Sequence, residues 1–166
     1  MEEADFFNEK LTSEERALYD RQFRLQGWKQ ENLKDSRVLI VGVGGLGCEI
    51  AKNLAMVGVG YIDLLDIDII EHSNLNRQML FVDAPLGEPK ALAAAKKLKQ
   101  VNPNITIIGH HTSLERLDPT IYKQADVIVG GLDSVKARRN LNAQSIRFQK
   151  PLIDGEIGRA SCRERV

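Results

Sequence analysis

Four apolar residues, Val38-Leu39-Ile40-Val41, run straight into the loop Gly42-Val43-Gly44-Gly45-Leu46-Gly47. Beyond it, Leu46, Ile50, Leu54 and Val57 recur at helical spacing. A short unbroken apolar run reads as a strand buried on both faces. Gly42, Gly44 and Gly47 fit G-x-G-x-x-G between that strand and the helix. Without side chains there, the backbone can approach a phosphate, and the free N–H groups of the helix N-terminus point at it. Gly45 widens the approach. Such a unit directs a chain towards a parallel, nucleotide-binding sheet.

The flanking segments keep the alternation. Thr12-Ser13-Glu14-Glu15 is a capping box and predicts a helix from about Ser13 to Leu25. A second helical piece, Gln26 to Asp35, carries Trp28 and Leu33. Gly58 and Gly60 stop the helix that spans Leu46 to Val57. Strands are expected at Tyr61 to Leu65, Ile105 to Ile108, Ala125 to Val129 and from Pro151 to Ile153. Helices are expected at Glu88 to Val101, with Leu92, Ala95 and Leu98 facing inward, at Pro119 to Gln124 and at Ser134 to Phe148. This is an α/β chain: a Rossmann-like, mostly parallel sheet with helices on both faces, preceded by N-terminal helices over 11–36. Asp83 to Pro89, with Pro85, Gly87 and Pro89, reads as a mobile loop.

Composition narrows the function classes. At 166 residues and 43% hydrophobic, the chain has enough apolar material for one domain with a real core. Lys+Arg and Asp+Glu both number 23, so no basic excess points to nucleic acid. No apolar run approaches membrane-spanning length, and Met1 to Asn8 does not have the pattern of a signal peptide. Two cysteines, Cys48 and Cys162, provide no disulfide framework. A cytoplasmic protein without nucleic-acid or membrane partners is expected. The last ten residues, Ile157 to Val166, break the preceding pattern and back-translate to sequencing-library adapter read-through, so they are set aside from the fold. Removing their three Arg and one Glu leaves 20 basic and 22 acidic groups. On this reading residues 1–156 are part of a domain truncated before its end.

Candidate chemistry clusters after the second strand. Asp66 lies 19 residues past Gly47, where an acid accepts hydrogen bonds from ribose hydroxyls. To this point NAD and ATP are not distinguished. The following segment, Asp68, Ser73-Asn74-Leu75-Asn76-Arg77-Gln78, brings many polar groups into one loop-to-helix stretch. An arginine beside phosphates stabilises charge on an α-phosphate under attack. Lys90 stands at a helix start, where the dipole disfavours a cation, so it either serves a ligand or is solvated. Asp133 follows the strand over Ala125 to Val129 and the Gly130-Gly131 turn, at the ligand-binding edge. A carboxylate there holds Mg²⁺ or caps the next helix, and the two roles are compatible. Cys48 reads as a packing residue, and His72 as a solvated loop histidine. His110 and His111 are read as lacking acidic partners, so no resident metal site is expected.

Tyr19-Asp20-Arg21-Gln22, the glycine loop, Asp66-x-Asp68, Ser73 to Gln78, Lys90 and Gly131-Leu132-Asp133 occur in one order. Together they resemble the adenylation domain of ubiquitin-activating enzymes and of the thiamine and molybdopterin sulfur-carrier adenylyltransferases, the ThiF and MoeB superfamily. The resemblance covers roughly Leu18 to Gly155. It implies that Gly45 and Asp66 bind ATP, that Ser73 to Arg77 contact ribose and phosphates, that Lys90 contacts phosphate, and that Asp133 binds Mg²⁺ with Ser134 alongside. Arg21 would reach the γ-phosphate of a partner subunit across a homodimer interface; a heterodimer is the alternative assembly. Catalysis would fall to Arg21, Arg77, Lys90 and Asp133. Zinc-binding cysteine pairs and a thioester cysteine would lie beyond the end of this chain. The implied reaction joins AMP to the C-terminal glycine of a ubiquitin-like or sulfur-carrier β-grasp protein. Asn76, Gly131-Leu132-Asp133-Ser134 and Pro151-Leu152-Ile153-Asp154-Gly155 incline the reading towards ubiquitin-like activation over sulfur-carrier activation. An NAD-dependent oxidoreductase is the distant third reading.

Overall fold

The computed structural model describes residues 10–155, and the expectations for the N-terminal residues before Lys10 and for Ile157 to Val166 lie outside them. Helix α1 (Ser13–Leu18) opens on the capping box: Thr12 Oγ1 accepts from Glu15 N and Glu15 Oε2 accepts from Thr12 N. Helix α2 (Gln30–Asp35) leads into β1 (Arg37–Val41), α3 (Gly45–Val57) and β2 (Tyr61–Asp66). Then come α4 (Lys90–Val101), β3 (Thr106–His111), α5 (Pro119–Gln124), β4 (Val127–Gly130), α6 (Val135–Phe148) and β5 (Leu152–Asp154). Among the described residues the five strands form one sheet in the order β3-β2-β1-β4-β5, with every pairing parallel.

Period-two alternation in β1 sorts its side chains between two cores. Val38 and Ile40 pack with Ile62, Leu64, Ala51, Ala55 and Leu98 beneath α3 and α4. Leu39 and Val41 pack with Leu65, Ile128, Tyr122 and Leu141 beneath α5 and α6. Burial on both faces is why β1 reads as an unbroken apolar run.

Several boundaries and buried faces differ from expectation. The helix expected over 13–25 ends at Leu18, and Gln22–Arg24 forms a separate 3₁₀ turn. Tyr19, 4% exposed, leaves the helix to pack on Gly58, and its hydroxyl accepts from Asn102 Nδ2 at 2.8 Å. Gln26 to Lys29 are not helical, and Gly27 adopts φ +79°. In α3 the buried face is Gly47, Cys48, Ala51 and Ala55, whereas Leu46 is exposed. A helix that starts directly on the glycine loop lies close to the sheet, so small residues face it and the larger ones are pushed to the flanks. In α4, Leu92 is exposed while Ala91, Ala94 and Leu98 face inward.

The loop expected to be mobile, Asp83 to Pro89, is tied down instead. Gly87 N donates to Ile70 O at 2.8 Å, Ile70 N to Glu88 O at 2.9 Å, and Ile69 bridges Pro89 antiparallel. The two histidines lie inside β3, and His110 does have an acidic partner. Asp63, 1% exposed, places Oδ1 2.8 Å from His110 Nε2 and accepts Arg37 Nε on Oδ2 at 2.7 Å. Burial alone would raise the Asp63 carboxyl; the hydrogen bonds from His110 and Arg37 outweigh it and hold the group below its ordinary range. Parallel pairing of β2 with β1 and β3 creates this triad, which no local sequence window contains. No helix among the described residues is long and apolar enough to cross a membrane.

Candidate active site

Strand order reverses direction between β1 and β4, and in open parallel sheets the crevice beyond the carboxyl ends at such a point is where ligands sit. A cavity of about 1140 Å³ opens there. Its floor is the glycine loop. Gly42 N donates to Leu65 O and Gly131 N to Val41 O, both at 2.8 Å, so the loop and the start of the β4–α6 turn continue the sheet's hydrogen bonding. Gly42 has φ +88°, and a Cβ on it would stand 2.8 Å from Gly131 O. A Cβ on Gly47 would overlap Gly42 O. Those two glycines are therefore glycines for packing. At Gly44 a Cβ would meet nothing within 4 Å, and at Gly45 only Arg77, at 3.7 Å and beyond. The open side of the loop is thus the α3 N-terminus, whose first N–H groups have no intrahelical partner.

Asp66, at the end of β2, braces this loop. Its Oδ2 accepts Val43 N at 2.6 Å and its Oδ1 accepts Asp68 N at 2.8 Å. Burial pushes the Asp66 carboxyl up, and the two backbone N–H groups offset this only in part. Each carboxylate oxygen keeps a further lone pair for a ribose hydroxyl. Lys90 is buried rather than solvated, lines the cavity and donates to Asp68 Oδ2 at 2.9 Å.

The 66–90 excursion holds the polar cluster. Asn74 is buried, and its Oδ1 accepts Glu71 N at 3.0 Å. Arg77 is exposed, and its Nη1 donates to Ser73 O at 2.7 Å and Asn76 Oδ1 at 3.1 Å. Gln78 is buried against the cavity, and its Oε1 has no hydrogen-bond partner among the described residues. Leu75 packs against the core, and Ser73 contacts Glu71. Across the cavity Ser134, not Asp133, caps α6 by accepting Ala137 N at 3.3 Å. The Asp133 carboxylate is exposed at the cavity wall.

Of the residues singled out from sequence, Gly42, Gly44, Gly45, Asp66, Asp68, Asn74, Arg77, Gln78, Lys90, Asp133 and Ser134 line this one cavity. Gly47, Ser73, Leu75 and Asn76 adjoin it through their neighbours without lining it. Arg21 stands elsewhere. The adjacent Gln22 donates to Val57 O at 3.5 Å, at the far end of α3 from the glycine loop. Thirteen helical residues put about 19 Å between those ends. Sequence reasoning missed His111, Thr112, Ser113, Glu115, Lys136 and Asn140, which also line the cavity. The rule that parallel sheets bind at their carboxyl edge would have found the first three, at the last residue of β3 and directly after it.

The donor set suits a nucleotide triphosphate: a helix N-terminus, a buried lysine and an arginine for anionic oxygens, and a carboxylate at the wall. No group of three or more His, Cys, Asp or Glu among the described residues could hold a metal by itself. Asp133, one of several carboxylates lining the cavity, fits Mg²⁺, which binds through one or two carboxylates plus substrate phosphates.

The ThiF family model matches residues 19–165. The chain is 41% identical over 150 residues to the molybdopterin-synthase adenylyltransferase of Escherichia coli, covering 88% of this chain and 60% of that protein. It is 40% identical over 130 residues to the NEDD8-activating enzyme E1 catalytic subunit of Saccharomyces cerevisiae, covering 73% of this chain and 44% of that one. Among solved structures, E. coli tRNA N6-threonylcarbamoyladenosine dehydratase superimposes with a TM-score of 0.75 at 27% identity, covering 87% of this chain and 62% of that chain. The chain thus spans about 60% of the length of the molybdopterin-type relative.

Proposed function

This chain belongs to the ThiF family, and we propose from that membership that its cavity binds Mg·ATP and adenylates the C-terminal glycine of a small sulfur-carrier protein of the β-grasp type. The observation that carries the reading is the convergence on one cavity of the open α3 N-terminus, Arg77, Lys90 and Asp133. The relatives set the preference within the family. Molybdopterin-synthase adenylyltransferases of three bacteria each match at 41% identity over 88% of the chain, which favours sulfur-carrier activation over the ubiquitin-like activation preferred from the motifs. Ubiquitin-like activation stands as the second reading, supported by the NEDD8-activating relatives of yeast and fruit fly. The NAD reading gains no support from these relatives.

In this reaction a glycine carboxylate oxygen bonds to the α-phosphorus while the bond to the bridging oxygen of the β-phosphate breaks. The electron pair of that bond leaves with pyrophosphate. A carboxylate is ionised at neutral pH, so the nucleophile needs no general base. What the protein supplies is position and charge neutralisation. The N–H groups at Gly44 and Gly45 would bind the phosphates, and Asp66 holds their loop through Val43 N. Arg77 commits Nη1 to its own loop and keeps further N–H groups for the α-phosphate. Asp133 would hold Mg²⁺, which offsets phosphate charge when bound.

The test is ATP–pyrophosphate exchange by the full-length protein. Exchange that depends on a β-grasp carrier ending in Gly-Gly is the expected result. Absence of exchange with both sulfur-carrier and ubiquitin-like proteins, in a preparation that binds ATP, overturns the reading.

A further inference from the structure

Lys90 is the first residue of α4, where the helix dipole opposes a positive charge, yet it is 6% exposed. A buried ammonium in that position keeps one direction only against an anionic partner. Asp68 supplies the counter-charge with its carboxylate and a second hold on the residue with its backbone. Its Oδ2 accepts Lys90 Nζ at 2.9 Å, and its backbone carbonyl accepts Lys90 N at 3.0 Å. Asp68 is itself placed from the other side, because its N–H donates to Asp66 Oδ1 while Asp66 Oδ2 takes Val43 N of the glycine loop. The connected path Val43–Asp66–Asp68–Lys90 therefore fixes the lysine relative to the phosphate-binding loop.

The same contacts form the neck of a closed loop. Ile69 bridges Pro89, and Ile70 exchanges hydrogen bonds with Glu88 and Gly87. Between the two sides of this neck runs the segment with Asn74, Arg77 and Gln78. Asp68 is mostly exposed, at 61% for its side chain, so the carboxylate contributes little to the core. A free carboxylate pointed at a triphosphate would repel it, whereas one neutralised by Lys90 would not.

We infer that Asp68 is a positioning residue that acts on the reaction through Lys90, holding its ammonium aimed into the cavity, and not a separate ligand of nucleotide or metal. This inference rests on the adenylation reading of the cavity. A double-mutant cycle in the full-length protein tests it, with ATP–pyrophosphate exchange in the presence of a carrier ending in Gly-Gly. K90M is expected to slow exchange about 100-fold, because it removes a cation from the phosphates, and D68N about tenfold or more, because it lets that cation leave its place. The D68N/K90M double variant is expected to be no slower than K90M, because the carboxylate has nothing left to position and its repulsion of the triphosphate is removed with it. D68E, which keeps the charge, is expected to recover most of what D68N loses. A double variant that falls by the full product of the two single losses, or D68E as slow as D68N, overturns the inference and makes Asp68 an independent ligand. If K90M does not fold, K90Q takes its place in the cycle. Calorimetric titration with Mg·ATP separates the two levels. A wild type that binds Mg·ATP without exchange sinks the adenylation reading, and the cycle is then read on the dissociation constant by the same criteria. A wild type that binds no Mg·ATP sinks both.

Discussion

Gly47 lies so close beneath Gly42 that a Cβ on Gly47 would overlap the Gly42 carbonyl oxygen. The overlap is with backbone, so no side chain can move aside to relieve it. Gly47→Ala is expected to lower stability by about 1–3 kcal/mol, the usual cost of overpacking, and to weaken ATP binding by displacing the loop. Gly44→Ala gives the contrast, because its Cβ would meet open space. Stability there is expected within about 0.5 kcal/mol of the parent, with ATP affinity reduced by the methyl group on the phosphate side. Urea denaturation and calorimetry of both variants separate the two roles. Equal destabilisation would show that the loop is purely structural.

Asp63 sets an acid limit on the fold. Its carboxyl lies below the ordinary range because His110 and Arg37 outweigh the cost of burial. A depressed folded pKa means stability that is present above the unfolded value and is lost as pH falls through the folded one. The parent is therefore expected to lose stability below about pH 4, with part of that slope absent in Asp63→Asn. At neutral pH the variant is expected to be less stable by about 3 kcal/mol, since Arg37 and His110 lose a buried partner. Denaturant midpoints across pH 3 to 7 check both statements. A variant with the parent's acid slope would show that Asp63 does not carry it.

We propose that Asp133 holds the metal. Asp133→Ala is expected to leave the fold intact, because Ser134 and not Asp133 caps α6. ATP titrations with and without Mg²⁺ are expected to coincide in the variant and to differ in the parent. Persisting metal dependence would place the ion on another group.

Arg21 precedes Gln22, which contacts the end of α3 about 19 Å from the glycine loop, and Leu18, Phe23 and Leu25 around it in sequence are exposed. We propose that it acts across a two-fold interface on the γ-phosphate of a second copy. Arg21→Ala is expected to cut pyrophosphate exchange about 100-fold without changing stability. Mixing it with Asp133→Ala is expected to restore one working site in each mixed dimer. Mixed dimers that remain inactive would rule out the trans arrangement.

Local sequence determined the strand–loop–helix unit, the α/β alternation and the capping box at Thr12 and Glu15. Each depends on backbone chemistry or periodicity within a few residues, and such signals survive without knowledge of neighbours. The positions of Gly42, Gly44, Asp66, Lys90 and Asp133 in one cavity were legible for a related reason: a parallel sheet delivers every strand's carboxyl end to the same edge. Tertiary structure alone decided the rest. The end of α1 at Leu18 depends on Tyr19 reaching Gly58 and Asn102, far away in sequence. The inward face of α3 is made of small residues because the glycine loop sets the helix close to the sheet. Asp63 gained its two partners, and Lys90 gained Asp68, only when strands and loops separated along the chain came into register. Hydrogen bonds and ion pairs of that kind depend on through-space distance, which spacing along the chain does not encode.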